Sequence, residues 1–225
     1  MTSDESNQSN QSTEPSQQTT NPMTRLAAFA RMAAMHAIGD QEALAQMLRE
    51  AQTAGISWDA CYEALLQLIA YTGYPRTLNA LATFRAVSGV PTSPTPTEPW
   101  QEYALATWPA RGVEIFHTLW PTSELASSVR PLSAELAEWV INDDFGRIFG
   151  RPGLTLLERE SVVFGCLIAL RVPPQLRSHR LAFLAVGGSE AQLDGIVAAV
   201  APLLPIEATQ IARTALATFR NEPAE

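Results

Sequence analysis

From Met23 to Arg220 the chain repeats one kind of punctuation: an apolar run at helical spacing, a glycine stop, then a polar or proline start. Asn21-Pro22 supplies a cap and a first-turn proline, with Gly39 as the stop. Asp40 caps a second run ending at Gly55, and Ser57 a third ending near Gly73. Pro75 opens a fourth, with Leu78, Leu81 and Phe84 on one face. Shorter helical stretches follow around 100–120 and 132–145. Thr155-Leu156-Leu157-Glu158 then forms a capping box before a run that is apolar on nearly every side from Ser161 to Leu170, which predicts an interior helix. Pro173-Pro174 opens the next helix, which stops at Gly187-Gly188. Ser189-Glu190-Ala191-Gln192 is a second capping box, and Pro205 starts a last helix ending near Arg220. No stretch alternates as a strand does, so the pattern predicts an all-α fold.

Two segments stand outside this pattern. Residues 1–22 hold no aliphatic or aromatic side chain between Thr2 and Pro22, so they cannot offset their ordering entropy and read as a disordered tail. Gly89-Val90-Pro91-Thr92-Ser93-Pro94-Thr95-Pro96 reads as an extended linker opening a connector over 89–131.

Charge removes several function classes. All 15 basic residues are arginine, against 23 acidic ones, for a net charge of −8. Without lysine there is no Schiff-base chemistry and no phosphate-loop or kinase-type lysine, so Asp144-Phe145-Gly146 carries no kinase meaning. An acidic chain without a basic cluster predicts no nucleic-acid partner and no anionic membrane surface. The N-terminal residues lack the apolar core of a secretory signal, and Ser161–Leu170 falls short of the ~20 residues a membrane span needs. The expectation is a cytoplasmic protein. Cys61 and Cys166 are distant from each other and neither belongs to a Cys-x-x-Cys pair, which predicts buried hydrophobes and no metal site.

The punctuation occurs twice. Ala80-Leu81-Ala82-Thr83-Phe84-Arg85 recurs letter for letter as Ala215-Leu216-Ala217-Thr218-Phe219-Arg220, and Gly55-Ile56-Ser57 lines up with Gly187-Gly188-Ser189. Two copies of a helical unit follow, over roughly 23–88 and 146–222; the second lies in a domain spanning 132–225.

Gly146-Arg147-Ile148-Phe149-Gly150-Arg151-Pro152-Gly153-Leu154, then Glu158-Arg159-Glu160, then Gln175-Leu176-Arg177-Ser178-His179, resembles the carboxymuconolactone decarboxylase family. The first half resembles a second copy through Tyr62-Glu63-Ala64-Leu65-Leu66-Gln67 and Tyr71-Thr72-Gly73-Tyr74-Pro75-Arg76-Thr77-Leu78-Asn79-Ala80. The resemblance implies a duplicated alkyl hydroperoxidase D-like helical unit in a ring-like homo-oligomer, hexameric for single units and often trimeric for fused pairs. One branch of that family uses a Cys-x-x-Cys pair between a glutamate and a histidine. On that spacing Glu160 and His179 are kept, while Val172 and Gln175 stand where the thiols would be, so a dithiol peroxidase is excluded. Decarboxylase-like members need neither thiols nor a cofactor. In the first copy the same alignment places Ala28 and Met47 at the glutamate and histidine positions, an empty site.

The candidate residues follow from this comparison and from the side chains themselves. Glu160 shares a face with Val163, Phe164 and Leu167, where a carboxylate needs a partner; an ion pair with Arg147, Arg151 or Arg159 is the bland possibility. His179 lies on the apolar stripe Leu176, His179, Phe183, Val186, where a core histidine satisfied by one hydrogen bond is the bland possibility. Family spacing favours Glu160 and His179 as the catalytic acid/base pair. Arg147 and Arg151, flanking a glycine-containing turn, and Arg76 beside Tyr74-Pro75 are candidates to clamp a substrate carboxylate. His36 and His117 fall in last helical turns, where the dipole favours a positive group, so both read as structural. The reading is a cofactor-free, decarboxylase-like lyase acting on a small carboxylated lactone or related acid. The rival is a non-catalytic oligomer of the same family that binds a ligand or partner.

Overall fold

A computed structural model describes residues 22–90, 102–122 and 129–220 of the 225 in the chain. The tail up to residue 21 and the proline-rich linker from residue 91 lie outside the described residues. All regular structure among the described residues is helical, with no strand. In order these are α1 (Pro22–Ile38), α2 (Gln41–Thr53), α3 (Trp58–Gln67), α4 (Ile69–Ser88) and α5 (Glu102–Leu119). After them come α6 (Ala134–Trp139), a π-helix (Val140–Phe149), α7 (Leu156–Leu170), α8 (Pro173–Ala185), α9 (Glu190–Val200), a short 3-10 helix (Ala201–Leu203) and α10 (Ile206–Arg220).

The helix starts fall where the polar residues put them. The side chains of Asp40, Ser57, Thr155 and Ser189 each accept the backbone N–H three residues on, and the last two complete capping boxes with Glu158 and Gln192. Arg25 of α1 adds an ion pair to Glu158, so the start of α7 is fastened to α1.

Helix α7 is the axis of the molecule. Every residue from Arg159 to Ile168 is buried, because α1, α8, α9 and α10 all pack on it. Its closest neighbour is α1, and Gly165 allows the approach: a Cβ there would lie 2.3 Å from the carbonyl oxygen of Ala30. A second close pair joins α5 to the π-helix. A Cβ on Gly112 would lie 2.0 Å from the Ile141 carbonyl oxygen, and one on Gly146 2.2 Å from that of Trp108. The Arg111 guanidinium donates to the Gly146 carbonyl (2.7 Å), serving a backbone oxygen of the widened turn.

Three local features depart from the sequence pattern. The third helix stops at Leu68, not near Gly73; Gly73 instead breaks α4 from within, at φ 71° and ψ 177°. Thr72 and Thr77 hydroxyls donate to the Leu68 and Gly73 carbonyls on either side of the break, which keeps those oxygens satisfied. Much of the 89–131 connector is helix α5, and the stretch after it continues through the π-helix to Phe149. Gly146 therefore lies inside a helix, and Arg147 occupies its last turn instead of flanking a loop.

A Gly165→Ala substitution would force α1 and α7 apart. It should lower stability by about 1–3 kcal/mol, the usual cost of overpacking. Urea unfolding with an unchanged midpoint would show that the α1–α7 contact yields without strain.

Candidate active site

The N-terminal turns of α7 place two charged side chains in the interior with different partners. Arg159 is completely buried; its Nη1 donates to Gln67 Oε1 (2.9 Å) and its Nη2 to the Arg151 carbonyl (2.7 Å) and toward Glu63 Oε2 (3.4 Å). Glu63, equally buried, also receives Arg151 in a two-pronged pair, with N–O distances of 2.7–3.1 Å. One carboxylate of α3 thus neutralises two guanidinium groups of the second half, as a buried charge requires.

Glu160, one residue on, points to α8. Its Oε2 accepts a hydrogen bond from His179 Nδ1 at 2.8 Å, and its Oε1 is buried without a partner. His179 reaches this position from the second turn of α8, started by Pro173-Pro174. Burial alone disfavours the imidazolium. The Glu160 carboxylate, through its charge and its hydrogen bond, together with the charge of Asp144, outweighs it and raises the His179 pKa above the ordinary value. With Nδ1 committed to Glu160, Nε2 is the nitrogen left for chemistry.

Aromatic rings enclose the imidazole. Tyr71 of α4 and Trp120, just past α5, meet its ring edge-on at 5.8 and 5.5 Å between centroids. Trp120 is fixed by donating its indole N–H to the Ser178 carbonyl (3.0 Å) and packs against Phe145 and Phe116. Next to Phe145 on the π-helix, Asp144 is a partly buried residue whose Oδ1 is wholly enclosed and unpartnered. Desolvation pushes its pKa up to about 7, with His179 working against that shift and Glu160 with it. The Tyr71 phenol is held well above its ordinary pKa by burial and by the charges of Asp144 and Glu160.

Glu160 and His179 are therefore brought together, and Glu160 pairs with the histidine instead of an arginine. The three candidate arginines are engaged elsewhere. Arg151 binds Glu63, Arg147 lies over the Trp108 ring at 5.2 Å with Asp143 at 3.9 Å, and Arg76 donates to the Ile38 carbonyl (2.8 Å). Sequence reasoning missed Asp144, Tyr71 and Trp120. Only the Tyr71-Thr72-Gly73 stretch, without a counterpart in the second half, carried a signal. Among the described residues no group of three or more His, Cys, Asp or Glu is placed to hold a metal ion, and no helix is long and apolar enough to cross a membrane. Cys61 and Cys166 are free and buried, and burial raises both thiols to about 12.

His36 departs from its expected role. It is buried, and desolvation, helped by the Arg76 charge, lowers its pKa to about 4, so it is neutral at pH 7 despite its place in the last turn of α1. Thr72 spends its only hydroxyl proton on the Leu68 carbonyl, so it accepts at 2.9 Å from His36 Nε2–H. That bond fastens the turn next to Tyr71.

A histidine buried in its neutral form contributes stability above its unfolded pKa of 6.5 and loses it as pH falls toward about 4. The loss should approach about 3 kcal/mol. Urea unfolding across that range should show a shallower dependence in His36→Gln than in the wild type. Identical slopes would mean that His36 is not buried neutral.

A scan against protein-family models gives no match for this chain, and a search of curated proteins gives none.

Proposed function

We propose that the chain is a cofactor-free, carboxymuconolactone decarboxylase-like lyase in which His179 transfers a proton to a small carboxylated lactone or related acid. The observation that carries this reading is the buried 2.8 Å pair of His179 Nδ1 and Glu160 Oε2 inside an aromatic enclosure. Glu160 orients the ring, fixes its tautomer and favours the charged form, so that Nε2–H serves as the proton donor. In the reaction the bond from carbon to carboxylate breaks and its electron pair enters a conjugated carbonyl as an oxyanion. Carbon dioxide leaves, and the new C–H bond forms with the His179 proton, which solvent then restores. Substrate and one proton become product and carbon dioxide, so no redox partner is needed.

The order of helices supports reading the two halves as copies of an alkyl hydroperoxidase D-like unit. Helices α1–α4 correspond to α7–α10 in sequence, with caps at Ser57 and Ser189 and closing hexapeptides that are identical. On this correspondence the first-half counterpart of the site is a groove of about 610 Å³ that includes Ala28, Met47 and Leu203 in its lining. These stand in place of Glu160, His179 and Tyr71, so that half performs no proton transfer. Tyr71 belongs to the first half and His179 to the second, which makes the working site composite. Assembly into a homo-oligomer, for which a trimer is the expectation, belongs to the same reading. Reduced, buried thiols fit a cytoplasmic setting.

Purified protein should consume γ-carboxymuconolactone, followed by loss of substrate absorbance. His179→Ala should lower kcat by about 10²–10⁴-fold, the usual contribution of a positioned acid. Turnover that survives in His179→Ala would remove the assignment. Light scattering should give a mass three times that of the 24.4 kDa chain; a stable monomer would contradict the assembly.

A further inference from the structure

The developing oxyanion needs a partner other than Arg76, Arg147 and Arg151, which are all engaged elsewhere. Two oxygens near His179 are in search of one. Asp144 Oδ1 is fully enclosed and accepts from no group, a costly arrangement for a carboxylate and an economical one for a neutral carboxylic acid awaiting an acceptor. The Tyr71 hydroxyl forms no hydrogen bond with any described residue, although its ring packs directly on the imidazole. The two groups come from different halves of the chain, one from the π-helix and one from the first turn of α4, and the charge of Asp144 bears on the Tyr71 phenol.

We propose that the Asp144 carboxyl and the Tyr71 phenol are the hydrogen-bond donors that hold the oxyanion formed in this site. The proposal rests on the proton-transfer reading of His179 and names the groups that complete it. A carboxylic acid kept neutral by apolar surroundings is an effective donor to an oxyanion, and a phenol beside it acts in the same sense. Burial, Glu160 and Asp143 favour the acid form of Asp144, and together they outweigh His179 and Arg159, which favour the carboxylate. The Phe145 ring next to it packs against Phe116, Trp120 and Phe149, which excludes water. The charges that reach it are Glu160 and Arg159 from α7, His179 from α8 and Asp143 from its own helix. The acid form prevails below pH about 7 and is lost above it. The hydrogen bonds form to the carbonyl oxygen as it gains charge; no bond to Asp144 or Tyr71 is broken, and both protons stay on the enzyme.

The substrate-free probe is 3,4-dinitrophenol, which is already ionised around pH 7, whose phenolate oxygen imitates the oxyanion and whose absorbance reports binding. With the full-length protein the phenolate should bind more tightly as pH falls through about 7. Asp144→Asn, which keeps a donor and cannot ionise, should lose the part of that pH dependence that Asp144 contributes and keep only the part set by His179. Tyr71→Phe should bind more weakly at every pH and keep the full pH dependence. Absence of phenolate binding, or a pH dependence in Asp144→Asn identical to that of the wild type, overturns the proposal. With γ-carboxymuconolactone, Tyr71→Phe and Asp144→Ala should each lower kcat by about 10²–10³-fold with little change in KM. Asp144→Asn should retain more activity than Asp144→Ala, which separates donation from a structural role. Equal losses in those two variants would overturn it. Wild-type protein inert toward the lactone would count against the decarboxylase reading alone, since the phenolate titration decides the donor pair by itself.

Discussion

The arrangement depends on a guanidinium with no access to water. Arg159 enters the interior only because Glu63 and Gln67 of α3 and the carbonyls around Arg151 enclose it. A buried cation of this kind is weak evidence for stability, since an apolar replacement of equal volume is often as good. Its consequence is geometric. The same ion cluster docks α3 against the loop before α7 and fixes the rotation of that helix's first turns. Glu160, the next residue, is thereby directed to α8 and not to the arginines.

From that point the site is assembled out of parts that are separately constrained. Pro173-Pro174 starts α8 at the register that brings His179 to Glu160. The break at Gly73, with Thr72 held by His36, sets the turn carrying Tyr71. Trp120 closes another side because α5 runs backbone-to-backbone with the π-helix through Gly112 and Gly146. Each of these contacts is made by a glycine, a proline or a neutral buried polar group. The chemistry is therefore held by packing and backbone geometry, and the long flexible cations serve the frame.

What the sequence made legible was local. Capping residues at Asp40, Ser57, Thr155 and Ser189 and the apolar run in α7 are written in short spacings, and they placed helices correctly. The proximity of Glu160 and His179 was anticipated from a family spacing, and the short hydrogen bond agrees with that proximity. Contacts made across the chain were not legible. Glu63 meets Arg151 and Arg159 over separations of 88 and 96 residues, which no periodicity encodes. Asp144 sits in a stretch whose spacing suggests an ordinary short helix, and its environment is set by α5 and α7. His36 was misplaced for the same reason: position in a last turn argues for charge, while burial, visible only in three dimensions, decides against it.

The π-helix has a consequence for how such a site arises. Its wide turn is seen in the bond from Gly150 N–H to the Phe145 carbonyl, five residues back, where an α-helix would reach four. Relative to an α-helix, each wide turn takes up one more residue, and one residue is about 100° of rotation on an α-helical wheel. A single inserted codon in a plain helix is therefore enough to turn a solvent-facing carboxylate inward.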